Sequence, residues 1–199
     1  MATAPQKKFY TPEEYLEFER NSEHKHEYFN GEIFQMTGAS RAHNVLTLRI
    51  GSLIDRHLQG KPCEVYSNDM RVKVSATGLY AYPDVAVACP PIELERSTGM
   101  ETLLNPVAIV EVLSPSTEAF DRGDKFNLYA GISSLTEYLL VSQAAYRVDH
   151  FTRDASGAWK ILMFSGLDAS VQLQSIGCAL PLATIYEKVV LQPSGRANP

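Results

Sequence analysis

Val107-Ala108-Ile109-Val110-Glu111-Val112-Leu113 is the most apolar stretch of the chain, and a single carboxylate stands inside it. A nearly continuous apolar run of this length is expected of a central β-strand covered on both faces. Glu111 in such a strand loses its hydration unless a cation or strong donors replace it, and packing alone would favour Val or Ile. Upstream, Pro83-Asp84 opens a second short apolar strand, Val85-Ala86-Val87-Ala88, and sets another carboxylate at a sheet margin. Two carboxylates on neighbouring strands can chelate a hard cation such as Mg2+, which usually keeps several waters. Taken singly, each acid also has an ordinary explanation: Asp84 as the end of a turn, Glu111 as the partner of a buried arginine.

Downstream, Asp121-Arg122-Gly123-Asp124-Lys125 reads as a helix start. Asp121 is expected at the N-cap, Asp124 at the third position and Gly123 in the tolerant first turn. Phe126, Tyr129 and Ala130 are expected to face inward, with Gly131 ending the helix. A helix beginning so soon after the Glu111 strand can fold back beside the strand's carboxyl end. Lys125 would then approach the two acids, and Arg122 would offer a second positive charge for phosphate binding. The plainer alternative is a solvated first turn whose charges suit the helix dipole.

The rest of the chain is expected to form a mixed α/β fold with no internal repeat. Thr11-Pro12-Glu13-Glu14 combines an N-cap hydroxyl, a proline at the first helical position and a glutamate at the third, so a helix to about Arg20 follows. Asn30-Gly31 between His26–Phe29 and Glu32–Met36 is a hairpin signal; it sets Phe29 opposite Glu32 and Glu27 opposite Phe34. Ser40 caps a helix to about Leu58, with Leu46, Ile50, Leu53, Ile54 and Leu58 as its buried stripe. Val65, Met70, Val72 and Val74 suggest a bent or interrupted strand, ending at the turn Ala76-Thr77-Gly78. Pro90–Asn105 is polar and reads as a surface excursion. Antiparallel strands are expected at Glu137–Val141, Arg147–Thr152, Trp159–Phe164 and Val171–Leu173, then a helix over Leu182–Val189 and a disordered tail from Gln192. One domain over 1–191 with a tail at 192–199 accommodates all of this.

Composition sets outer bounds. The 199 residues suffice for one sizeable core, and 45% apolar with 21% charged is ordinary for a soluble protein. No apolar run is long enough to cross a bilayer, and Met1–Tyr10 lacks the apolar segment of a signal peptide, so a cytoplasmic location is expected and no membrane partner. Cys63, Cys89 and Cys178 have no metal-ligand spacing and read as reduced, mostly buried thiols. The net charge of −5 argues against coating nucleic acid by charge alone, although transient phosphate binding needs only a local basic patch.

Tyr82-Pro83-Asp84-Val85-Ala86-Val87, Ile109-Val110-Glu111-Val112-Leu113-Ser114-Pro115-Ser116-Thr117, Asp121-Arg122-Gly123-Asp124-Lys125-Phe126 and Glu137-Tyr138-Leu139-Leu140-Val141 together resemble the Uma-type restriction-endonuclease family of the PD-(D/E)XK nuclease superfamily. The match runs in order from about Tyr10 to Phe164. It implies a restriction-endonuclease-like α+β core, a mixed sheet flanked by helices with an extra N-terminal hairpin and C-terminal antiparallel strands. It also implies Asp84 and Glu111 as ligands of Mg2+ or Mn2+, and phosphodiester hydrolysis, with DNA the expected substrate. The superfamily pattern has lysine two residues after the second acid, where this chain has Leu113. Lys125 matches the arrangement of relatives that supply the lysine from the following helix.

Beside these catalytic candidates, Glu27 and His43 join Arg122 as auxiliary ones. Glu27 is a further acid for the metal or else an exposed hairpin charge, and Glu32 is a weaker candidate for the same task. His43, on the Leu46/Ile50 face of its helix, points either at the site or into ordinary packing. A homodimer is expected if two strands are to be cut. The competing function classes are a non-catalytic binding or regulatory module that keeps the nuclease fold, and a hydrolase of smaller phosphoesters.

Overall fold

The computed structural model describes residues 8–97 and 99–191. Helix α1 (Pro12–Arg20) opens with a complete capping box: Thr11 Oγ1 accepts the Glu14 N–H at 3.2 Å, and the Glu14 carboxylate accepts the Thr11 N–H at 2.8 Å. Strands β1 (His26–Phe29) and β2 (Glu32–Gln35) turn on Asn30 and Gly31 at φ 49° and 83°, in the expected register. A Cβ on Gly31 would lie 2.8 Å from the Phe9 ring, so close approach as well as backbone angle requires glycine there. In α2 (Arg41–Leu58) the Ser40 hydroxyl accepts the His43 N–H at 3.0 Å, and Leu46, Ile50, Ile54 and Leu58 form the buried stripe with Leu53 at its edge.

The bent or interrupted strand expected across Val65–Val74 is interrupted, into β3 (Glu64–Ser67) and β4 (Arg71–Val74), and the two belong to different sheets. After the turn at Thr77-Gly78 comes β5 (Leu79–Ala81), buried at every residue and so without the alternation that reveals a strand. Strand β6 (Val85–Ala88) is likewise wholly buried. The expected surface excursion over Pro90–Asn105 contains a hairpin instead, β7 (Leu94–Ser97) and β8 (Met100–Leu103). It lies at a sheet margin, where only Thr102 and Leu103 are buried and Arg96 and Glu101 are exposed, so its polar composition is that of an edge rather than a loop.

The central strand is β9 (Ala108–Val112), buried along its whole length. The helix expected to be capped by Asp121 starts earlier: α3 (Glu118–Arg122) is followed by a break at Gly123 and by α4 (Asp124–Tyr129). Ser114 nucleates α3, its hydroxyl accepting the Thr117 N–H at 3.3 Å and its carbonyl the Glu118 N–H at 2.9 Å, which leaves Asp121 inside the helix and buried. Strands β10 (Glu137–Val141), β11 (Arg147–Arg153), β12 (Trp159–Ser165), β13 (Ser170–Leu173) and β14 (Cys178–Pro181) follow, then α5 (Leu182–Ile185). The last helix stops four residues short of the expected Val189, and the tail from Gln192 lies outside the described residues.

The first sheet has the order β2-β1-β5-β4-β8-β7 and the second β12-β11-β10-β9-β6-β3, with β13–β14 a separate ribbon. In the second sheet β9 runs parallel to β10 and antiparallel to β6. One face, with Val85, Val110 and Val112, packs on α2, α5 and the ribbon; the other, with Ala86, Ile109, Leu113 and Leu140, packs on the first sheet and α4. Glu111 shares the alternation of Ile109 and Leu113 and so points toward the first sheet and α4.

The cysteines depart from expectation. Cys63 and Cys89 form a disulfide, with Cα atoms 4.1 Å apart, while Cys178 is free and buried. In the β3–β6 ladder Glu64 faces Ala88, so the next pair outward is Cys63 and Cys89. Twenty-six residues of separation hide a contact that strand pairing makes adjacent.

Candidate active site

Strand pairing brings the first two acids together. Val85 faces Val110, so the next position outward sets Asp84 opposite Glu111. Asp84 Oδ2 accepts the Val112 N–H at 2.7 Å and lies 3.1 Å from Nε2 of His43, which the first turn of α2 presents. Glu111 Oε1 lies 2.9 Å from Lys125 Nζ and accepts the Tyr129 hydroxyl at 3.2 Å. Lys125 Nζ also donates to Glu27 Oε1 at 3.1 Å and sits 3.7 Å from Asp121 Oδ1. Glu27 comes from β1 and accepts the Tyr82 N–H at 3.4 Å, two residues before Asp84. Acids from both sheets and from α3 thus surround one ammonium from α4, and Asp84, Glu111, Asp121 and Lys125 are all buried.

The charges do not balance. Glu27, Asp84, Glu111 and Asp121 leave three formal negative charges in excess of Lys125 when His43 is neutral. Burial pushes the Glu111 carboxyl well above the ordinary range; Lys125 opposes the shift, while Asp84, Asp121 and Glu27 add to it. Asp121 is raised by burial too, against the pull of Lys125. Burial by itself would lower the Lys125 pKa, but its carboxylates, Glu111 foremost, outweigh burial and hold the ammonium protonated well above its usual value. Burial keeps the Tyr129 hydroxyl neutral, a donor to Glu111.

The residues that could hold a small divalent cation here are Asp84 and Glu111. The contacts above engage one oxygen each of Asp84 and Glu111, leaving the other for a ligand, and an ion of charge two would offset most of the excess. Among the described residues no three His, Cys, Asp or Glu side chains close around a point by themselves. Two protein carboxylates completed by waters is the arrangement Mg2+ favours.

Of the residues singled out from the sequence, Asp84, Glu111, Lys125, Glu27 and His43 are gathered here. Arg122 is not: its guanidinium bonds Glu118 at 2.8 Å and makes a close ion pair with Asp149, so two carboxylates already hold it. Glu32 lies opposite Phe29 by the turn. Leu113, where the usual pattern has lysine, is buried in the core facing α4. Sequence reasoning missed three residues. Asp121 and Tyr129 stand four before and four after Lys125, a spacing that places side chains on one helix face. Gln143, which donates to the Leu113 carbonyl at 2.7 Å and accepts the Ser40 hydroxyl, ties α2 to the end of β9 and left no local signal.

The comparisons with known proteins agree with this architecture. Residues 12–183 match the family described as "Uma2: Putative restriction endonuclease". Two proteins of Synechocystis sp. (strain ATCC 27184 / PCC 6803 / Kazusa) are similar across most of their length. "Uncharacterized protein slr1290" is 42% identical over 176 residues, covering 88% of this chain and 90% of its own. "Uncharacterized protein sll1609" is 34% identical over 165 residues, covering 83% and 93%. A crystal structure titled as a putative nuclease belonging to DUF820, from Anabaena variabilis ATCC 29413, shares the fold at a TM-score of 0.73 and 16% identity, over 90% of this chain and 99% of that one. With the family match spanning both sheets, the acid cluster and the helix that carries Lys125, this chain belongs to the Uma2 family.

Proposed function

We propose that this protein is a nuclease dependent on Mg2+ or Mn2+ that hydrolyses phosphodiester bonds in DNA. The observation that carries the reading is the placement of Lys125: an ammonium delivered by a helix lies against Glu111 on the central strand, in a cluster with more acid than it can neutralise. A divalent cation held by Asp84 and Glu111 would polarise the phosphate and make water a better nucleophile. The chain's own groups do the rest. His43 and the Val112 N–H fix the Asp84 carboxylate. Glu27 and Asp121 aim the Lys125 ammonium. Because Lys125 stays protonated, it acts as a donor that orients the attacking water and stabilises charge growing on the phosphate, not as the base. The proton released by water passes to a neighbouring carboxylate as the phosphorus–oxygen ester bond breaks.

The experiment is cleavage of plasmid, DNA and RNA oligonucleotides and small phosphoesters by purified protein with Mg2+ or Mn2+. Loss of DNA cleavage in Asp84→Ala and Lys125→Ala is the expected result. No cleavage of any substrate, or full activity in both variants, would sink the reading. The non-catalytic alternative is supported by the paired state of Lys125 and would be favoured by that first outcome together with calorimetry showing no divalent-ion binding.

A homodimer completes the proposal, and β12 supports it. This strand is the outer edge of the second sheet, and Ile161, Leu162 and Met163 are exposed on both of its faces. An unpaired apolar edge of this kind invites another strand. Antiparallel pairing of two copies about Leu162 would place Ile161 against Met163 and Lys160 against Phe164, with no like charges opposed.

A further inference from the structure

A groove of about 390 Å³ runs between α2 and the turn after α5, lined by Arg41, Val45, Leu48, Arg49, Arg56 and Lys188 among others. The three arginines lie on one side of α2, away from the centre of the stripe that packs on the sheet, and extend over about 22 Å at a rise of about 1.5 Å per residue. Lys188 joins them from across the groove, in a turn where its own φ is 62°. Arg49 pairs with Glu187 at 2.8 Å. Among the described residues no carboxylate lies within 4.0 Å of Arg41, Arg56 or Lys188, and all three are exposed. In a chain of net charge −5, four cations with one acid between them are a marked local reversal.

The groove and the acid cluster share the N-terminal end of α2, His43 turning to Asp84 on one side of the helix and Arg41 to the groove on the other. That cluster repels phosphates wherever a cation does not cover it, so a polyanionic substrate must be held from elsewhere. A concave track of cations separated by half-buried Val45 and Leu53 suits a sugar–phosphate backbone, whose charges recur and whose sugars are apolar. A membrane would meet a flat or convex face.

We propose that the α2–α5 groove binds the backbone of duplex DNA beside the scissile bond, through Arg41, Arg56 and Lys188 with Arg49 at its centre. This rests on the nuclease reading above and names the surface that would hold its substrate without reading sequence. Each phosphate neutralised releases counterions, so binding must weaken steeply with salt.

The test uses the Glu111→Gln protein, so that nothing is cut, and its Arg41→Gln/Arg56→Gln/Lys188→Gln derivative. Fluorescence anisotropy follows binding of a labelled duplex across a salt series. The expected result is a salt slope smaller by about 2.7 and binding weaker by on the order of 100-fold at 0.1 M salt in the derivative. Its thermal midpoint should match the parent's, because the three side chains are exposed and unpaired. Equal slopes and affinities in the two proteins would overturn the proposal, as would absence of duplex binding by the parent at low salt. Polyglutamate of matched charge displacing the duplex as well as unlabelled DNA does would assign the groove to acidic polypeptides instead. The two readings fail separately: a reduced slope with no cleavage by the wild type removes the nuclease and leaves the groove, and cleavage with an unchanged slope does the reverse.

Discussion

Glu111→Gln removes one negative charge from the acid cluster and changes little else. Tyr129 still meets an oxygen acceptor, and Lys125 keeps Glu27 at 3.1 Å and Asp121 at 3.7 Å. What disappears is the cost of a buried carboxylate that three neighbouring acids oppose. In chelator at neutral pH the variant should therefore be more stable than wild type by about 1–2 kcal/mol, a thermal midpoint higher by roughly 2–8 °C for a chain of this size. Divalent cation reverses the order. At a concentration a hundred times its Kd, Mg2+ should stabilise the wild type by about 2.7 kcal/mol and leave the variant unmoved. Thermal denaturation with and without Mg2+ should thus show two curves that exchange places, while cleavage by the variant falls to background. A variant less stable than wild type in chelator by more than about 1 kcal/mol would mean that Glu111 chiefly anchors Lys125. A Mg2+-dependent rise that survives the substitution would remove Glu111 as a ligand.

Lys125→Met should act in the opposite sense, leaving Glu27, Glu111 and Asp121 without their ammonium and destabilising the chain by about 3–5 kcal/mol, as denaturant titration would report. The pH dependence follows from the raised Glu111 pKa: the folded state holds a proton there more tightly than the unfolded chain, so stability in chelator should fall as pH rises through the range above 4.5. Mg2+ competes with that proton, so calorimetry should find affinity rising over the same range, and a flat profile would contradict the shift. Cys63→Ser opens a covalent link across 26 residues and should cost about 3.5 kcal/mol, matched by adding reductant to wild type; equal midpoints with and without reductant would refute it. Leu162→Lys should convert the proposed β12 dimer to monomer in analytical ultracentrifugation without lowering the monomer's stability, and a monomeric wild type would dismiss the β12 interface.

What could be read from the sequence was what local chemistry decides. Thr11 with Glu14, Ser40, and Asn30-Gly31 act through bonds within a few residues, so α1, α2 and the first hairpin start or turn where those residues stand. Glu111 stood out because an acid in an apolar run has few structural excuses. Long-range pairing supplied what remained hidden. Nothing near Val65 or Val74 says that the chain changes sheets between them, and the polar β7–β8 hairpin is held by the parallel partner β4. Asp121 has the propensity of a cap, but Ser114 starts the helix first and turns that carboxylate inward. Arg122 was placed beside phosphate because its true partner, Asp149, arrives from a strand 27 residues away.

The site's ammonium comes from α4 and not from β9, so the two sides of the Lys125–Glu111 pair should open separately. The backbone of β9 is locked between two strands, and its amides should exchange with deuterium only on global opening. Helix α4 is six residues long, set off by the break at Gly123, and pinned by Phe126 and Tyr129 against Tyr138, Phe151 and Trp159 and by Lys125 among its acids. Its amides should exchange sooner. Were that short segment to lift, Glu111 and Glu27 would stay on their strands while the lysine left, so loss of the ammonium would not require global unfolding.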